Sequence, residues 1–402
     1  MVKLGVIGYG VRMDMLMDQI HELYVDAAVT AVADKYPERV KALMRKDGSP
    51  EFMHRMEIDK IDGLLRTCPM DPEKICFYES AEEMLEKEEL DGVMVGTNCS
   101  THAQFAKLVM ERGLPLFLEK PVGICHEDLE LLKECEKCAK APVVVSFPLR
   151  GMRIIEEAKR IIDSDAIGKV EHVQAFNDVG YGYVYFHDWY RDESVAHGLF
   201  LQKATHDVDL INYLTKETPK TICAMKSKQI FKGDMPAGLR CSECGKAETC
   251  MESTYNIEKV RDDTPRSDYC CYAVDTGNED SGSMIIGYES GMHAIYSQNF
   301  FARKKAARRG ARLYGYKGTL EYDFVKDEIM VYDHMSDKVT KVECHTPAAG
   351  HAGGDQVLIR NFVDLILKRT ERSIAPLSAG IASAEMCLAA KEASENLEYK
   401  RI

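Results

Sequence analysis

The chain has 402 residues, 45% apolar and 29% charged, which is long enough for about two packed domains and too apolar for a disordered protein. Its formal net charge of −13 argues against a nucleic-acid or anionic-membrane partner, because phosphate binding needs an excess of Lys and Arg. The chain opens with a strand pattern instead of a signal peptide, and no apolar run approaches the roughly 18 residues of a membrane helix. These features predict a cytoplasmic protein.

The first part of the chain alternates short apolar strands with helices. "KLGVIG" predicts a strand, "RMDMLMDQIHEL" a helix and "AAVTAVAD" a second strand, and this order recurs as far as "PVVVSFP". Such alternation predicts an α/β domain in residues 1–147, with a doubly wound parallel sheet of the Rossmann type. The stretch from Tyr36 to Lys74 interrupts the alternation and is interpreted as an insertion after the second strand.

The pattern changes at Pro148. One helix, within "MRIIEEAKRIIDSDAIGKV", is followed by runs such as "VEHVQAFNDV" and "GSMIIGYESGMHAIYSQNF", which are typical of strands joined by glycine turns. Residues 148–402 are therefore predicted to form a second, α+β domain with a mostly antiparallel sheet.

A glycine-containing turn lies in "GVIGYGVRM", between the first strand and the first helix. There Gly8 and Gly10 would let backbone amides approach a pyrophosphate, although Met13 replaces the usual third glycine. Asp34 ends the second strand, where a carboxylate can accept both ribose hydroxyls of NAD and repel the 2′-phosphate of NADP. NAD is therefore favoured over NADP; an ordinary turn with a solvated Asp34 is the alternative. The predicted cofactor-binding residues of this region are Gly8, Gly10, Arg12, Asp34 and Lys35.

A second candidate region is "LFLEKPVG", where a buried strand ends in a charged pair and a proline. "GTNCSTHAQFA" follows a neighbouring strand, and ligands bind at the carboxyl ends of parallel strands. We therefore expect Lys120 at the rim of a binding crevice. An ion pair of Glu119 and Lys120 at the surface is the alternative interpretation.

These motifs, together with "HGLFLQKATHDVDLINYL", "GYKGTLEYD" and "GHAGGD" further along, resemble the Gfo/Idh/MocA family of sugar and cyclitol oxidoreductases. The resemblance spans nearly the whole chain. It implies that Lys120 lies beside the nicotinamide and the substrate, and that the segment from Asn98 to His102 shapes the ribose end of the cofactor site. It also implies a large open sheet in the second domain, which roofs the active site and joins subunits into a homo-oligomer. The remaining predicted cofactor-binding residues are Thr97, Asn98, His102, Glu119 and Lys120.

The segment "QKATHDVDL" carries the third candidate region. Lys203, His206 and Asp209 are spaced to share a helix face. The family's common pattern is Asp-x-Gly-x-His, which implies that His206 is the general acid/base; here Gln202 and Ala204 replace the Asp and the Gly. The missing carboxylate leaves the identity of the base open, and a structural role for the histidine is the alternative. The predicted catalytic residues are Lys120, Lys203 and His206.

Side chains suited to sugar recognition cluster in "FHDWYRDES", which contains the only tryptophan of the chain. Aromatic faces and polar side chains suit the two sides of a sugar ring, and loop packing is the alternative. The predicted substrate-binding residues are Arg150, His187, Trp189, Tyr190, Gln202 and Asp209.

A cysteine-rich insertion occupies about residues 231–272. "LRCSECGKAETC" and the cysteine pair that follows fit a tetrahedral zinc site, and the surrounding sequence has little apolar material to stabilise it. A metal would supply that stability. Free thiols and a disulfide are the alternatives. The predicted ligands of this structural zinc are Cys241, Cys244, Cys250 and Cys270.

Taken together, the motifs predict an NAD-dependent dehydrogenase acting on a CH–OH group of a sugar, sugar derivative or cyclitol. The resembled family leaves two alternatives open. One is a glycoside-cleaving enzyme that oxidises, eliminates and re-reduces with bound NAD, and the other is a non-catalytic cofactor-binding regulator. The basic run "ARKKAARRGAR" is interpreted as a solvated loop or a subunit contact.

Overall fold

A computed structural model describes residues 1–23, 27–45, 71–260, 267–347 and 350–402. Its strands are β1 (Val2–Ile7), β2 (Ala27–Ala33), β3 (Cys76–Tyr78), β4 (Gly92–Val95), β5 (Leu116–Leu118), β6 (Val143–Val145), β7 (Val170–Asp178), β8 (Pro219–Ser227), β9 (Ser281–Tyr288), β10 (His293–Asn299), β11 (Arg308–Gly315), β12 (Gly318–Asp323), β13 (Glu328–Asp333), β14 (Val339–Glu343) and β15 (Lys400–Arg401). The α-helices are α1 (Val11–Leu23), α2 (Pro37–Arg45), α3 (Ala81–Lys87), α4 (His102–Glu111), α5 (His126–Cys138), α6 (Arg153–Asp163), α7 (Val184–His187), α8 (Glu193–Ala196), α9 (Thr205–Thr215), α10 (Ile257–Val260), α11 (Gly354–Ile366) and α12 (Leu377–Asn396). Shorter helical turns are Pro72–Lys74, Cys99–Thr101, Pro148–Gly151, Trp189–Arg191, Phe200–Ala204, Cys241–Glu243, Lys304–Ala306 and Gly350–Gly353.

The first sheet has six parallel strands in the order β3-β2-β1-β4-β5-β6. Every residue of β4, β5 and β6 is buried, as expected for strands covered by helices on both faces. The predicted Rossmann-type sheet is therefore confirmed. The predicted insertion from Tyr36 to Lys74 falls mostly on residues 46–70, which lie outside the described residues.

The chain divides into two compact units, and the first is discontinuous in sequence. It combines Met1–Met152 with Pro347–Ala384, while the second contains Arg153–Thr346 and Glu385–Ile402. Helix α11 belongs to the first unit because it packs on the first sheet: Phe117 meets Phe362 edge-on at 5.7 Å, and a Cβ on Gly92 would lie 2.7 Å from Ile366. The predicted domains, 1–147 and 148–402, differ in assigning this helix to the second domain.

The second unit contains a nine-stranded sheet in the order β14-β13-β12-β11-β7-β10-β9-β8-β15. Among the described strands of this second sheet, only the β7–β10 pair is parallel, so the mostly antiparallel sheet is confirmed. Helix α9 packs on β7, and α6 packs on β12 and β13. Buried and exposed residues alternate along β9 and β10, so one face of the sheet is covered and the other is open.

Within the described ranges, no helix is both long and apolar enough to span a bilayer. The cytoplasmic location stays a prediction.

Candidate active site

The turn after β1 has the backbone that a dinucleotide site requires. Gly8 has φ +77°, and a Cβ on it would lie 2.5 Å from the Thr97 side chain, so only glycine fits. At Gly10 a Cβ would meet nothing within 4 Å, which leaves open space beside the N-terminus of α1. The turn therefore fits a pyrophosphate group approaching the backbone amides.

Gly96, which directly follows β4, makes room for Met13, the residue in place of the usual third glycine. In the usual fingerprint that glycine permits close packing between helix and strand. Here Met13 is fully buried in α1, and a Cβ on Gly96 would lie 2.5 Å from the Met13 side chain. A glycine at the end of β4 therefore makes the room that a glycine on the helix usually makes.

Asp34 is fixed beside this turn. Its carboxylate accepts hydrogen bonds from the backbone N–H of Tyr9 at 2.9 Å and of Tyr36 at 2.8 Å. Each carboxylate oxygen retains a lone pair for a further donor, as binding of two ribose hydroxyls requires. Lys35 is exposed next to it. The first unit therefore brings the predicted glycines and the predicted acid together.

Arg12 was predicted to contact the cofactor, but its described contacts are with protein groups. Its guanidinium binds Asp355 through two nitrogens, at 2.6 and 2.8 Å, and donates to Glu119 at 3.0 Å and to Ser146 at 3.2 Å. Ser146 also donates to Glu119 at 2.8 Å. The acid of the Glu-Lys-Pro motif therefore joins the tip of β5 to α1 and β6, and its contact with a cofactor stays a prediction, as does that of Arg12.

This ion cluster shifts the pKa values of its members. Burial acts to raise the pKa of Asp355, but hydrogen bonds from Arg12 and His351 outweigh burial and hold that pKa well below its usual range. Burial acts to lower the pKa of Arg12, and the charges of Glu119 and Asp355 outweigh it and raise the pKa. Both groups are therefore charged throughout the physiological range.

Replacing Asp355 by Asn is expected to lower the free energy of unfolding by about 2 kcal/mol. Loss of one partner of a buried ion pair costs roughly 3–5 kcal/mol, but the Arg12 side chain is 27% exposed and keeps Glu119, which reduces the cost. Asp364→Asn is the control on the same helix, where an exposed pair with Arg369 should contribute under about 0.5 kcal/mol. Equal urea midpoints for the two variants, measured by circular dichroism, would contradict the assignment.

His102 connects the two predicted cofactor loops. Its Nδ1 lies 2.7 Å from the carbonyl oxygen of Pro121 and its Nε2 lies 3.0 Å from that of Thr97. The ring is buried, and burial lowers its pKa even though both carbonyls oppose this. Burial favours the neutral imidazole, which has a single N–H, so His102 donates a hydrogen bond to only one of these carbonyl oxygens and packs against the other, between the "GTN" loop and the Glu-Lys-Pro loop.

A lowered histidine pKa makes stability depend on pH in one direction. Between the folded pKa and the unfolded value of about 6.5, the unfolded chain binds more protons, so stability falls as the pH falls through that window. His102→Gln should remove this component: its melting temperature should lie below that of the wild type at about pH 8, with the gap narrowing towards about pH 5.5. The control is His126→Gln at an exposed position. A gap that stays constant with pH would exclude His102 as the source.

The remaining residues predicted in the first unit lie near the ends of β4 and β5. Lys120 is half-buried immediately after β5, and its backbone N–H lies 3.3 Å from the Glu119 carboxylate. Thr97 is half-buried and accepts a hydrogen bond from the Thr101 hydroxyl, while Asn98 is exposed. Their positions at strand ends match the expected location of a ligand crevice.

In the second unit, a π-helical turn alters the predicted helix face. Phe200–Ala204 form this turn and α9 begins only at Thr205, so three-residue spacing does not place Lys203 above His206 as it would in an α-helix. His206 and Asp209 both lie in α9 and are buried. Gln202 is also buried, and its side-chain amide donates to the carbonyl oxygen of Ala196.

Sequence reasoning missed an ion-pair network beside His206. Asp207 accepts from Arg309 at 2.7 Å, from the Asn177 amide at 2.9 Å and from the Tyr296 hydroxyl at 3.0 Å. The only sequence signal for this network is that Asp207 directly follows the motif histidine. Its hydrogen-bond partners lie on β7, β10 and β11 and share no sequence pattern.

A cavity of about 440 Å³ adjoins this network. It is lined by the end of β7, the following turn, the start of β11 and two apolar side chains; its lining residues are Asn177, Asp178, Val179, Gly180, Tyr181, Lys304, Ala307, Arg308, Arg309, Phe324 and Val325. Volumes of about 300–1,000 Å³ are usual for small-molecule sites. The basic run "ARKKAARRGAR" thus supplies part of a cavity wall as well as a loop.

Four of the six predicted substrate-binding residues are buried, and three of these four contact backbone carbonyl oxygens. Arg150 donates to Ile374 at 2.7 Å, and His187 Nδ1 lies 2.6 Å from the carbonyl oxygen of Tyr269. Trp189 is exposed and stacks on Tyr190 with 3.8 Å between ring centroids. The substrate contacts of all six residues stay predictions, and Trp189 has the most open surface among them.

The structure does not support the predicted zinc site. Within the described ranges, no group of three or more His, Cys, Asp or Glu side chains is placed to hold a metal ion. All four predicted ligands have free thiols, and burial raises the pKa of Cys241, Cys250 and Cys270.

Polar interactions stabilise the cysteine-rich insertion instead. Asp268 accepts from Arg240 at 2.8 Å and from the Ser242 hydroxyl at 2.7 Å, and the Arg240 guanidinium lies 4.2 Å from the centre of the Tyr269 ring. Arg191 forms a two-nitrogen ion pair with Asp275 at 2.6 and 2.8 Å. The prediction reasoned that a metal would supply stability to this segment, and Cys spacing alone does not reveal the Arg–Asp pairs.

Comparison with known proteins places both units in one group. A domain described as "Oxidoreductase family, NAD-binding Rossmann fold" matches residues 2–147, and one described as "GFO/IDH/MocA C-terminal domain" matches residues 155–321. The Bacillus subtilis protein YteT, named as an oxidoreductase, is 23% identical over 372 residues, covering 83% of this chain and 81% of YteT. Inositol 2-dehydrogenase of Rhizobium meliloti is 25% identical over 248 residues, covering 59% of this chain and 62% of that enzyme.

A solved structure with the same fold comes from Agrobacterium radiobacter. This oxidoreductase, in complex with NAD⁺, L-tartaric acid and magnesium, superposes with a TM-score of 0.70 at 13% identity, covering 100% of this chain and 98% of the other. At such identity the likeness shows the fold alone.

Proposed function

This chain belongs to the Gfo/Idh/MocA family of NAD-binding oxidoreductases, and we propose on that premise that it transfers hydride between NAD and a secondary hydroxyl of a sugar, sugar derivative or cyclitol. The observation that carries the proposal is the arrangement of the first unit. Gly8 and Gly10 form an open backbone turn, Asp34 is fixed beside it, and Lys120 follows β5, which is separated from β1 by one strand of the same sheet. The inositol dehydrogenases among the relatives support the substrate class.

Gly8, Gly10 and Asp34 would hold the dinucleotide. The turn amides would bind its pyrophosphate and Asp34 its ribose hydroxyls, and an acid at this position favours NAD over NADP. The bound nicotinamide would supply the hydride acceptor. Lys120 would donate a hydrogen bond to the substrate oxygen and stabilise the alkoxide as its proton leaves.

The test is a screen of sugars, glycosides and inositols for a rise in NADH absorbance with the purified protein and NAD. Turnover of a polyol with NAD in preference to NADP is expected. Asp34→Ala is the control, because loss of the carboxylate should weaken NAD binding and leave the fold intact. Glycoside cleavage without net NADH would favour the alternative chemistry, and no NADH from any compound would contradict the proposal.

We also propose that the protein forms a homo-oligomer through the open face of the second sheet. Ile285 and Ile295 are paired across β9 and β10 and are both exposed, and Met225 on β8 is exposed near them. Neighbouring apolar side chains on an open sheet favour burial against another surface. Sedimentation of the intact protein should give a mass above that of one chain, and a purely monomeric species would contradict this.

A further inference from the structure

Tyr181 is the side chain of the cavity wall best placed to move a proton. It lies in the turn after β7, its side chain is 43% exposed, and it lines the 440 Å³ cavity described above. Neither the motifs nor the comparisons assign it a role. The charged side chains around Tyr181, and not a sequence motif, indicate a role in proton transfer.

Lys203 is buried behind this tyrosine. Its ammonium donates to the Tyr181 hydroxyl and lies 4.5 Å from the centre of the Tyr181 ring. In the described part of the chain, no carboxylate lies within ion-pair distance of Lys203. The Asp207 carboxylate is already bound by Arg309, Asn177 and Tyr296. The lysine charge therefore acts on the phenol oxygen.

The charges facing Tyr181 from the packed elements favour its ionised form. Burial acts to raise its pKa, but the positive charges of Lys203 and Arg309 outweigh burial and the opposing charge of Asp207, so the pKa of Tyr181 is lowered. Tyr185, on α7, has its pKa raised by burial and by the Tyr181 charge, so of the two phenols Tyr181 is the one that ionises first. Asp178, Lys304 and Arg308 also line the cavity.

We propose that Tyr181, assisted by Lys203, accepts the hydroxyl proton of a substrate bound in this cavity. The inference rests on the proposed dehydrogenase function. In the oxidation the O–H bond would break with its proton going to the Tyr181 phenolate and a C=O bond would form, while NAD⁺, when bound, would supply the acceptor for the hydride of the breaking C–H bond. The neutral phenol then returns the proton to water, to which the side chain is exposed. Reduction reverses these transfers.

This assignment changes the role predicted for Lys203. It is a positioning residue that keeps the phenol oxygen in place and favours its ionised form. The charge of Arg309 also lowers the pKa of Tyr181, and the Arg309 guanidinium is held in place by the bond from its Nε to Asp207. Gln202, at the position of the family pattern's carboxylate, donates to the carbonyl oxygen of Ala196, while Lys203 next to it in sequence contacts Tyr181.

The kinetic test compares Tyr181→Phe with the wild type on a substrate found in the screen. The kcat is expected to fall roughly 10²–10⁴-fold, the contribution of a positioned general base, with NADH affinity in a fluorescence titration unchanged. Lys203→Met should shift the acidic limb of the kcat/KM pH profile to higher pH, and Lys203→Arg should shift it less. Tyr316→Phe, at an 81% exposed position, is the matched control and should leave turnover unchanged. A Tyr181→Phe variant within a few-fold of the wild type would overturn the inference.

A second readout needs no substrate. With ¹³C-labelled tyrosine ring carbons, one NMR resonance should titrate at lower pH than the others, be absent in Tyr181→Phe and move to higher pH in Lys203→Met. A Tyr181 resonance that titrates with the other tyrosines overturns the inference whatever the substrate. The two failures are distinguishable, because a wild type that oxidises no compound in the screen contradicts the proposed function instead.

Discussion

Replacing Asp207 by Asn is expected to destabilise the protein by about 3–5 kcal/mol, which is the usual cost of removing one charge from a buried ion pair. The Asp207 side chain is only 7% exposed and that of Arg309 only 18%, so solvent can compensate little of the lost attraction. Two further donors, Asn177 and Tyr296, would lose a charged acceptor as well. Asn has nearly the same shape, so the effect should report charge and hydrogen bonding rather than packing.

Urea unfolding followed by the fluorescence of Trp189 is a suitable measurement, because this single tryptophan lies in the same unit. Asp165→Asn is the matched control: its pair with Lys317 is exposed on both sides and should contribute under about 0.5 kcal/mol. The double variant Asp207→Asn/Arg309→Met should lose less than the sum of the single losses, because it leaves no uncompensated buried cation. A single-variant loss below about 1 kcal/mol would show that the pair is screened.

Replacing Lys120 by Met is expected to lower kcat roughly 10²–10³-fold, the effect of removing one donor to a developing oxyanion. The expectation depends on the proposed function and on the position of Lys120 after β5. The melting temperature should change little because the side chain is half-buried and replaced by one of similar length. NADH affinity should stay within a few-fold, since Lys120 acts on the reacting oxygen.

Lys137→Met on α5 is the control, since this lysine is exposed and pairs with Glu134 at the surface. Lys120→Arg keeps the positive charge but not the compact ammonium, so it should recover only part of the lost rate. If Lys120→Met turns over the substrate within a few-fold of the wild type, Lys120 does not stabilise the alkoxide.

The sequence predicted those features that depend on neighbouring residues. Strand β5 could be identified from "LFL" because buried parallel strands are continuous apolar runs, and Gly8 and Asp34 because each belongs to a short motif. For the second domain, the sequence predicts a mostly antiparallel sheet but neither the number nor the order of its strands. The apolar alternation of β9 and β10 gives their character but not their order in the sheet.

Features that depend on distant residues escaped the sequence analysis. Arg12 follows a glycine turn and was interpreted as a cofactor contact, whereas its main partner, Asp355, is 343 residues away. Met13 departs from the glycine fingerprint, and the sequence does not show that Gly96, which follows β4, makes room for its side chain. The zinc prediction finds no support among the described residues, because cysteine spacing alone does not establish that the thiols are placed to hold a metal ion.

The discontinuity of the first unit has a consequence for how this protein is made. The ribosome releases the Rossmann sheet long before it reaches Pro347–Ala384, which completes the same unit. Until then the apolar surface that α11 will cover stays exposed, and Arg12 lacks Asp355, one of its two carboxylate partners. Folding of the first unit must therefore finish after Pro347–Ala384 has been synthesised, and a polypeptide stalled or truncated before that segment would present the uncovered surface to chaperones and proteases.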